Sequence, residues 1–213
     1  MRKLVYSGVF VLLCILGSGS GAFAVGAPAD PPSTKVPDNI RALLAPSDTL
    51  LAYKAADSLE GDGNGAVIVI RHALTDDRSH NPCDLEVLQK KGDAFVVASS
   101  SNRVVECIYN DIARRAGEMA LDDHLDVKPK EITWSNEQTR GHTIFRFAYS
   151  SEKSSWYLQR AEVTFAENAE SGDGVDVYKE VVNYPDDIAW IAMPDFNPGA
   201  IRKALANHRK AVK

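Results

Sequence analysis

Leu50-Leu51-Ala52-Tyr53-Lys54-Ala55-Ala56, then Gly61-Asp62-Gly63-Asn64-Gly65, then Ala66-Val67-Ile68-Val69-Ile70: an apolar run, a turn cluster and a β-branched run follow one another directly. Glycine supplies the backbone freedom of a tight turn, and β-branched side chains are stiff and pack well on a pleated surface. Together the three pieces predict a β-hairpin. The same pattern continues outward. Cys83, Leu85 and Val87 alternate with Asp84, Glu86 and Leu88, then Lys91-Gly92-Asp93 turns the chain into an apolar run at 94–98. Further strands are expected at 104–109, 131–135, 142–150, 155–165 and 175–182, with a turn at 171–174 and room for one helical turn within 110–124. In 142–150, Thr143, Phe145, Phe147 and Tyr149 share one face while Arg146 and Ser150 lie on the other, as in a sheet with one wet side. Eight or nine short strands at regular spacing predict a mainly β fold, an antiparallel sandwich or open barrel with short terminal helices.

The ends differ from this middle. Arg2 and Lys3, an apolar run over 4–16 and small residues leading to Ala22-Phe23-Ala24 have the order of a cleavable signal peptide at 1–24. The apolar run is shorter than the ~20 residues a spanning helix needs, so no membrane span is expected after signal removal. Leu13 precedes Cys14 where lipidation requires a small residue, which argues against a lipoprotein. Proline-rich 25–37 reads as an extended leader, 38–197 as the β-rich domain and 198–213 as a C-terminal helix. Asp38 is placed to cap a short helix over 40–45. The expected location is therefore periplasmic or secreted.

The full chain has 24 Lys+Arg and 29 Asp+Glu; without Arg2 and Lys3 the balance is 22 against 29, or −7. An acidic chain with no long basic run is a poor nucleic-acid binder, because that affinity comes from clustered cations releasing counterions. With Cys14 removed, Cys83 and Cys107 remain, and in an oxidising compartment two such cysteines form one disulfide. No C-x-x-C spacing supports a redox thiol.

Chemistry-bearing motifs are few. Ser58, Glu60, Asp62 and Gly63 fall at positions one, three, five and six of a calcium-loop register, but position twelve is Val69, so the stretch reads as a glycine-rich turn rather than a metal site. His80 and Cys83 have H-x-x-C spacing with His72 nearby, yet zinc needs further ligands at short range. The pairs Asp76-Asp77, Asp122-Asp123 and Asp186-Asp187 are adjacent residues, which strand geometry sends to opposite faces. There is no G-x-S-x-G elbow, no cysteine–histidine pair of catalytic type, and no glycine loop before a helix N-terminus. No catalytic residue, metal site or cofactor is expected. Trp134, Phe145, Phe147, Tyr149, Trp156 and Tyr157 lie within 24 residues, a core set of which an exposed subset would suit a protein partner.

The hairpin at 51–70, with its S-L-E-G-D-G-N-G turn, resembles the D-L-N-G-D-G hairpin of a group of exported bacterial proteins, mostly of unknown function and distantly similar to β-propeller blade repeats. The pieces 95–98, 104–107 and 145–156 resemble the strand series of that group, over about half the mature chain. Some members resemble periplasmic immunity or lysozyme-inhibitor proteins. Ser58 and Glu60 stand where the group has Asp and Asn. The resemblance implies a module that binds another protein, such as a toxin or cell-wall hydrolase. The polar loop at 73–82, with Asp76, Asp77, Arg78 and His80, is the expected binding segment because Cys83 pins its end. The competing expectations are a hydrolase with paired carboxylates and a calcium-dependent envelope or adhesion module.

Overall fold

The computed structural model describes residues 36–61, 63–74, 81–107, 115–169 and 172–212. Among them, ten strands form two antiparallel sheets. The first is a meander of β1 (Thr49–Ala56), β2 (Gly65–Arg71), β3 (Cys83–Lys91) and β4 (Ala94–Ser101). The second is a longer meander of β5 (Leu125–Lys128), β6 (Glu131–Gln138), β7 (Gly141–Ser150), β8 (Ser155–Asn168) and β9 (Val175–Asn183), with β10 (Lys210–Val212) returning to the free edge of β9. The helices are α1 (Asp38–Arg41) and α2 (Pro198–Ala206). The expected mainly β sandwich is the fold; the sheets stay separate and close no barrel among the described residues.

The opening hairpin is the β1–β2 pair, running from Thr49 opposite Arg71 to Ala56 opposite Gly65. A Cβ at Gly65 would lie 2.6 Å from the Leu88 carbonyl oxygen and 2.8 Å from Leu59 Cδ2, so the close approach admits only glycine. The first six residues of β2, Gly65 to Ile70, are all buried, because both faces of the sheet are covered around this strand. On one face Ile68, Ile70, Leu50, Tyr53 and Leu88 pack with Val36, Ile40 and Leu44 of the α1 region. On the other, Leu51, Val67, Val69, Leu85 and Val87 meet Ile132, Trp134, Phe145, Phe147, Trp156, Leu158 and Val182 of the second sheet. Phe196, edge-on to Phe145 and Phe147, joins Ile201 and Leu205 of α2 in that core. The second sheet keeps its other face open, and β7 shows the expected alternation with Phe145 and Phe147 inward and Arg146 half-buried outward.

The Cys83–Cys107 disulfide is present, with Cα atoms 5.6 Å apart. The strand expected at 104–109 is not formed over its described residues 104–107, which bend instead. Side chains take over the role of a ladder there. Asn136 donates to the Val104 carbonyl at 2.8 Å and accepts from the Glu106 amide at 2.9 Å and the Trp134 indole at 2.8 Å, while Asn81 donates to Val105 at 2.7 Å. Short β5 and β10 went unforeseen. The terminal helix stops at Ala206, and residues 210–212 turn back as β10 rather than continuing helical. Helix α1 covers 38–41, with Pro37 rather than Asp38 at the cap position. Val36 is buried, so the domain begins inside the expected leader; the signal peptide at 1–24 and the leader as far as residue 35 lie outside the described residues.

Removing the 24-residue bridge by Cys107→Ser is expected to lower unfolding free energy by about 2–5 kcal/mol. Asn136→Ala is expected to cost about 3 kcal/mol, since it orphans two buried partners and one part-buried partner. Urea denaturation of both variants checks this, and an Asn136→Ala protein as stable as wild type contradicts the assigned role.

Candidate functional site

Tyr157 lies between inward-facing Trp156 and Leu158, so alternation turns it to the open face of the second sheet. The register of β7 and β8 slips between Arg146 and Phe147, leaving Gln159 as an extra residue. Such bulges twist a strand and release backbone groups from the ladder. The freed Gln159 carbonyl accepts the Tyr184 amide at 2.9 Å, and Leu158 donates to the Ile191 carbonyl at 2.9 Å. These two bonds lay the segment after β9 against Tyr157. At the start of that segment Asp187 accepts from the Asn183 amide at 2.9 Å, and the Tyr184–Pro185 peptide is cis.

The outcome is a surface cluster of three rings. Trp190 stacks on Tyr157 with centroids 4.2 Å apart, and Tyr184 meets Tyr157 edge-on at 5.2 Å and Trp190 at 5.8 Å. Lys153 places its ammonium 4.1 Å over the Trp190 ring. All three rings are half-buried. The three tryptophans of the chain thus divide. Trp134 and Trp156 are each 1 % exposed with their indole N–H bonded to Asn136 and Glu60, whereas Trp190 has no hydrogen-bond partner among the described residues. A large ring with a free N–H, covered on one side only by a lysine that water can draw away, is suited to being buried by another molecule.

The sequence-based candidates resolve differently. Asp76, Asp77, Arg78 and His80 lie outside the described residues. The base of their loop is firmly tied: the His72 amide donates to the Pro82 carbonyl at 2.9 Å, Arg71 pairs with Cys83 across β2 and β3, and Asn81 reaches the carbonyls of Asn102 and Val105. His72 itself lies between Asp48 Oδ1 and Asp84 Oδ2, each 3.1 Å from a ring nitrogen. No spacing rule would have found that clamp, whose members come from three separate segments. Glu60, of the calcium-type stretch, accepts the Trp156 indole N–H at 2.6 Å from 96 residues away. Asp62 lies outside the described residues, and no cluster of three or more His, Cys, Asp or Glu placed to hold a metal occurs among the described ones.

The acidic pairs split between roles. Asp122 accepts from the Tyr53 amide at 3.1 Å and binds Lys54, which seals the free edge of β1, while its neighbour Asp123 adds no contact to that seal. A cleft of about 220 Å³ beside Thr49 and Leu50 has two carboxylates on its wall. Both already have partners: Glu118 with Arg41 at 2.5 Å and Asp48 with His72. On the open face of the second sheet, burial pulls the Glu162 carboxyl up, but hydrogen bonds from Lys179 and Arg160 outweigh it and hold the group below the usual carboxylate range. The chain matches no known family model, no curated protein and no solved structure.

Two outcomes follow from these contacts. Glu60→Ala is expected to cost about 1–3 kcal/mol by orphaning a buried indole, and millimolar calcium is expected to leave the melting temperature of the wild type unchanged. A large calcium-induced rise in melting temperature contradicts the assignment of Glu60 to Trp156. Because Glu162 titrates lower in the folded chain than in the unfolded one, its contribution is complete above the ordinary carboxylate range and is lost as pH falls through its depressed value. Glu162→Gln is therefore expected to be less stable than wild type by about 1 kcal/mol at pH 7, with the gap closing in acid. A gap that is independent of pH in thermal melts contradicts this.

Proposed function

We propose that this chain is an exported protein-binding module, periplasmic or secreted, acting as an immunity or inhibitor protein against a cell-wall-degrading enzyme. One observation carries the reading: Trp190 is held at the surface by Tyr157 and Tyr184 with no hydrogen-bond partner for its indole among the described residues. Tryptophan and tyrosine on a rigid support supply most of the energy of protein interfaces, and here the support is a β-sheet. The disulfide fits an oxidising compartment, and no helix among the described residues is long and apolar enough to cross a membrane. The resemblance of the 51–70 hairpin to exported proteins that include inhibitors points the same way, and a net acidic chain is steered toward basic enzymes.

The two rival readings lack a comparable observation. A hydrolase with paired carboxylates needs two of them free to converge on a substrate, whereas Asp48 and Glu118 are spent on His72 and Arg41. A calcium module needs Glu60, which serves Trp156.

The test is clearance of a peptidoglycan suspension by a panel of basic muramidases in the presence of the mature chain. Stoichiometric inhibition of at least one enzyme is expected, with Trp190→Ala raising the inhibition constant by at least about tenfold while the melting temperature holds. Failure to inhibit any of them, clearance by the chain alone, or undiminished inhibition by Trp190→Ala overturns the proposal.

A further inference from the structure

Next to the aromatic cluster, on the same open face, two arginines stand directly opposite one another: Arg146 of β7 pairs in register with Arg160 of β8. Inward-facing Phe145, Phe147 and Ala161 flank them, which fixes both arginines on the outward face. Side chains so paired have Cβ atoms about 5 Å apart, and like charges in that position repel. Their surroundings neutralise one of the two. Arg160 donates to Glu162 at 2.8 Å and to Asn183 at 3.1 Å. Arg146 does not fare likewise. Among the described residues its one ionic neighbour is Glu131, 3.8 Å from Nε and beyond hydrogen-bond reach, and Glu131 is shared with Lys128 at 3.7 Å. The Arg146 Nε–H is itself buried without a hydrogen-bond partner among the described residues.

A guanidinium offers five donors in a planar fork that matches a carboxylate. Arg146 leaves that fork unfilled, although its side chain remains 41 % exposed to an incoming group. By strand alternation Asp126, Glu131, Glu137 and Glu162 are the carboxylates of this face, against Lys128, Arg146, Arg160, Lys179 and Lys210 as cations, so its balance is one positive charge in a chain that is negative overall.

We propose that Arg146, backed by Arg160 and on the same face as Tyr157 with its stacked Trp190, is the receptor for a carboxylate side chain on a partner protein. This rests on the protein-binding reading and adds the chemistry of the contact. A protein surface acidic over its whole area is repelled by the acidic remainder of the chain, so the carboxylate belongs to an otherwise neutral or basic surface. A short glutamate peptide, by contrast, is small enough to meet the locally positive face alone. The approaching acid pairs with the exposed end of the Arg146 guanidinium and relieves the arginine repulsion, and an apolar group beside it covers Trp190. Affinity falls with added salt, because the contact is made at an exposed face.

The experiment is a nitrogen-15 NMR titration of the mature chain with hexaglutamate peptide, following the arginine Nε–Hε and tryptophan indole resonances. A glycine–serine hexapeptide and inorganic phosphate serve as controls. Saturable shifts at Arg146, Arg160 and Trp190 with hexaglutamate are expected, in the millimolar range suited to a single exposed contact. Arg146→Gln is expected to weaken them at least tenfold, and Arg146→Lys to weaken them less, since it keeps the charge but loses the fork. Melting curves of both variants establish that the fold is retained. No shift up to about 10 mM peptide, equal binding by Arg146→Gln, or tighter binding of phosphate than of the peptide overturns the assignment. The titration reads the arginine contact alone. A chain that inhibits a muramidase yet ignores hexaglutamate refutes this inference and leaves the broader one standing.

Discussion

The chain passes from the first sheet to the second once, between Ser101 and Leu125, and the start of that passage is the constraint on which the rest depends. The Cys83–Cys107 bridge ties it to the first strand of the β3–β4 hairpin, and Asn136 ties it to β6 in the second sheet. A bend with two buried valines, Val104 and Val105, carries backbone groups that a ladder would ordinarily satisfy. Amide side chains do so instead, at the cost of making one asparagine irreplaceable. With the passage fixed, the inner faces of the two sheets meet in one register, and the indole of Trp134 is held by the same Asn136.

The fold then spends its apolar surface unequally. Around β2 both faces of the first sheet are buried, one under the α1 region and one against the second sheet, so β2 is apolar from Gly65 to Ile70, while β4 leaves Val96 and Val97 exposed. The second sheet contributes one face and leaves the other to solvent, where a mesh of ion pairs runs from Lys128 to Lys179. Exposed pairs of this kind add little stability each. Under the proposed protein-binding role their placement matters more, because they set a polar, mixed-charge ground on the face that carries Tyr157.

Local patterns in the sequence were enough to find the hairpins, the single wet face of β7 and the outward turn of Arg146, since period-two alternation is a property of neighbouring residues. The disulfide was legible from cysteine count alone. What escaped depends on residues far apart. The Glu60–Trp156 bond joins segments 96 residues distant, and Asp48, His72 and Asp84 meet only once β1, β2 and β3 are aligned. The apolar run at 104–107 looked like a strand because buried irregular backbone is apolar too; only Asn136 distinguishes the two, and it is some thirty residues away. Trp190 was overlooked because it follows the last long strand, outside the aromatic group of 134–157, and reaches Tyr157 through a bulge no pattern announces.

The three tryptophans differ in setting: two close the molecule, and one stays at the surface, where the proposed partner would cover it. Hydrogen exchange at the indole N–H groups separates them directly. Slow exchange at Trp134 and Trp156, held by Asn136 and Glu60, with fast exchange at Trp190 that slows on addition of an inhibited muramidase, is the expected result. Equal protection of all three indoles in the free chain, or a Trp190 signal unmoved by that enzyme, would contradict it.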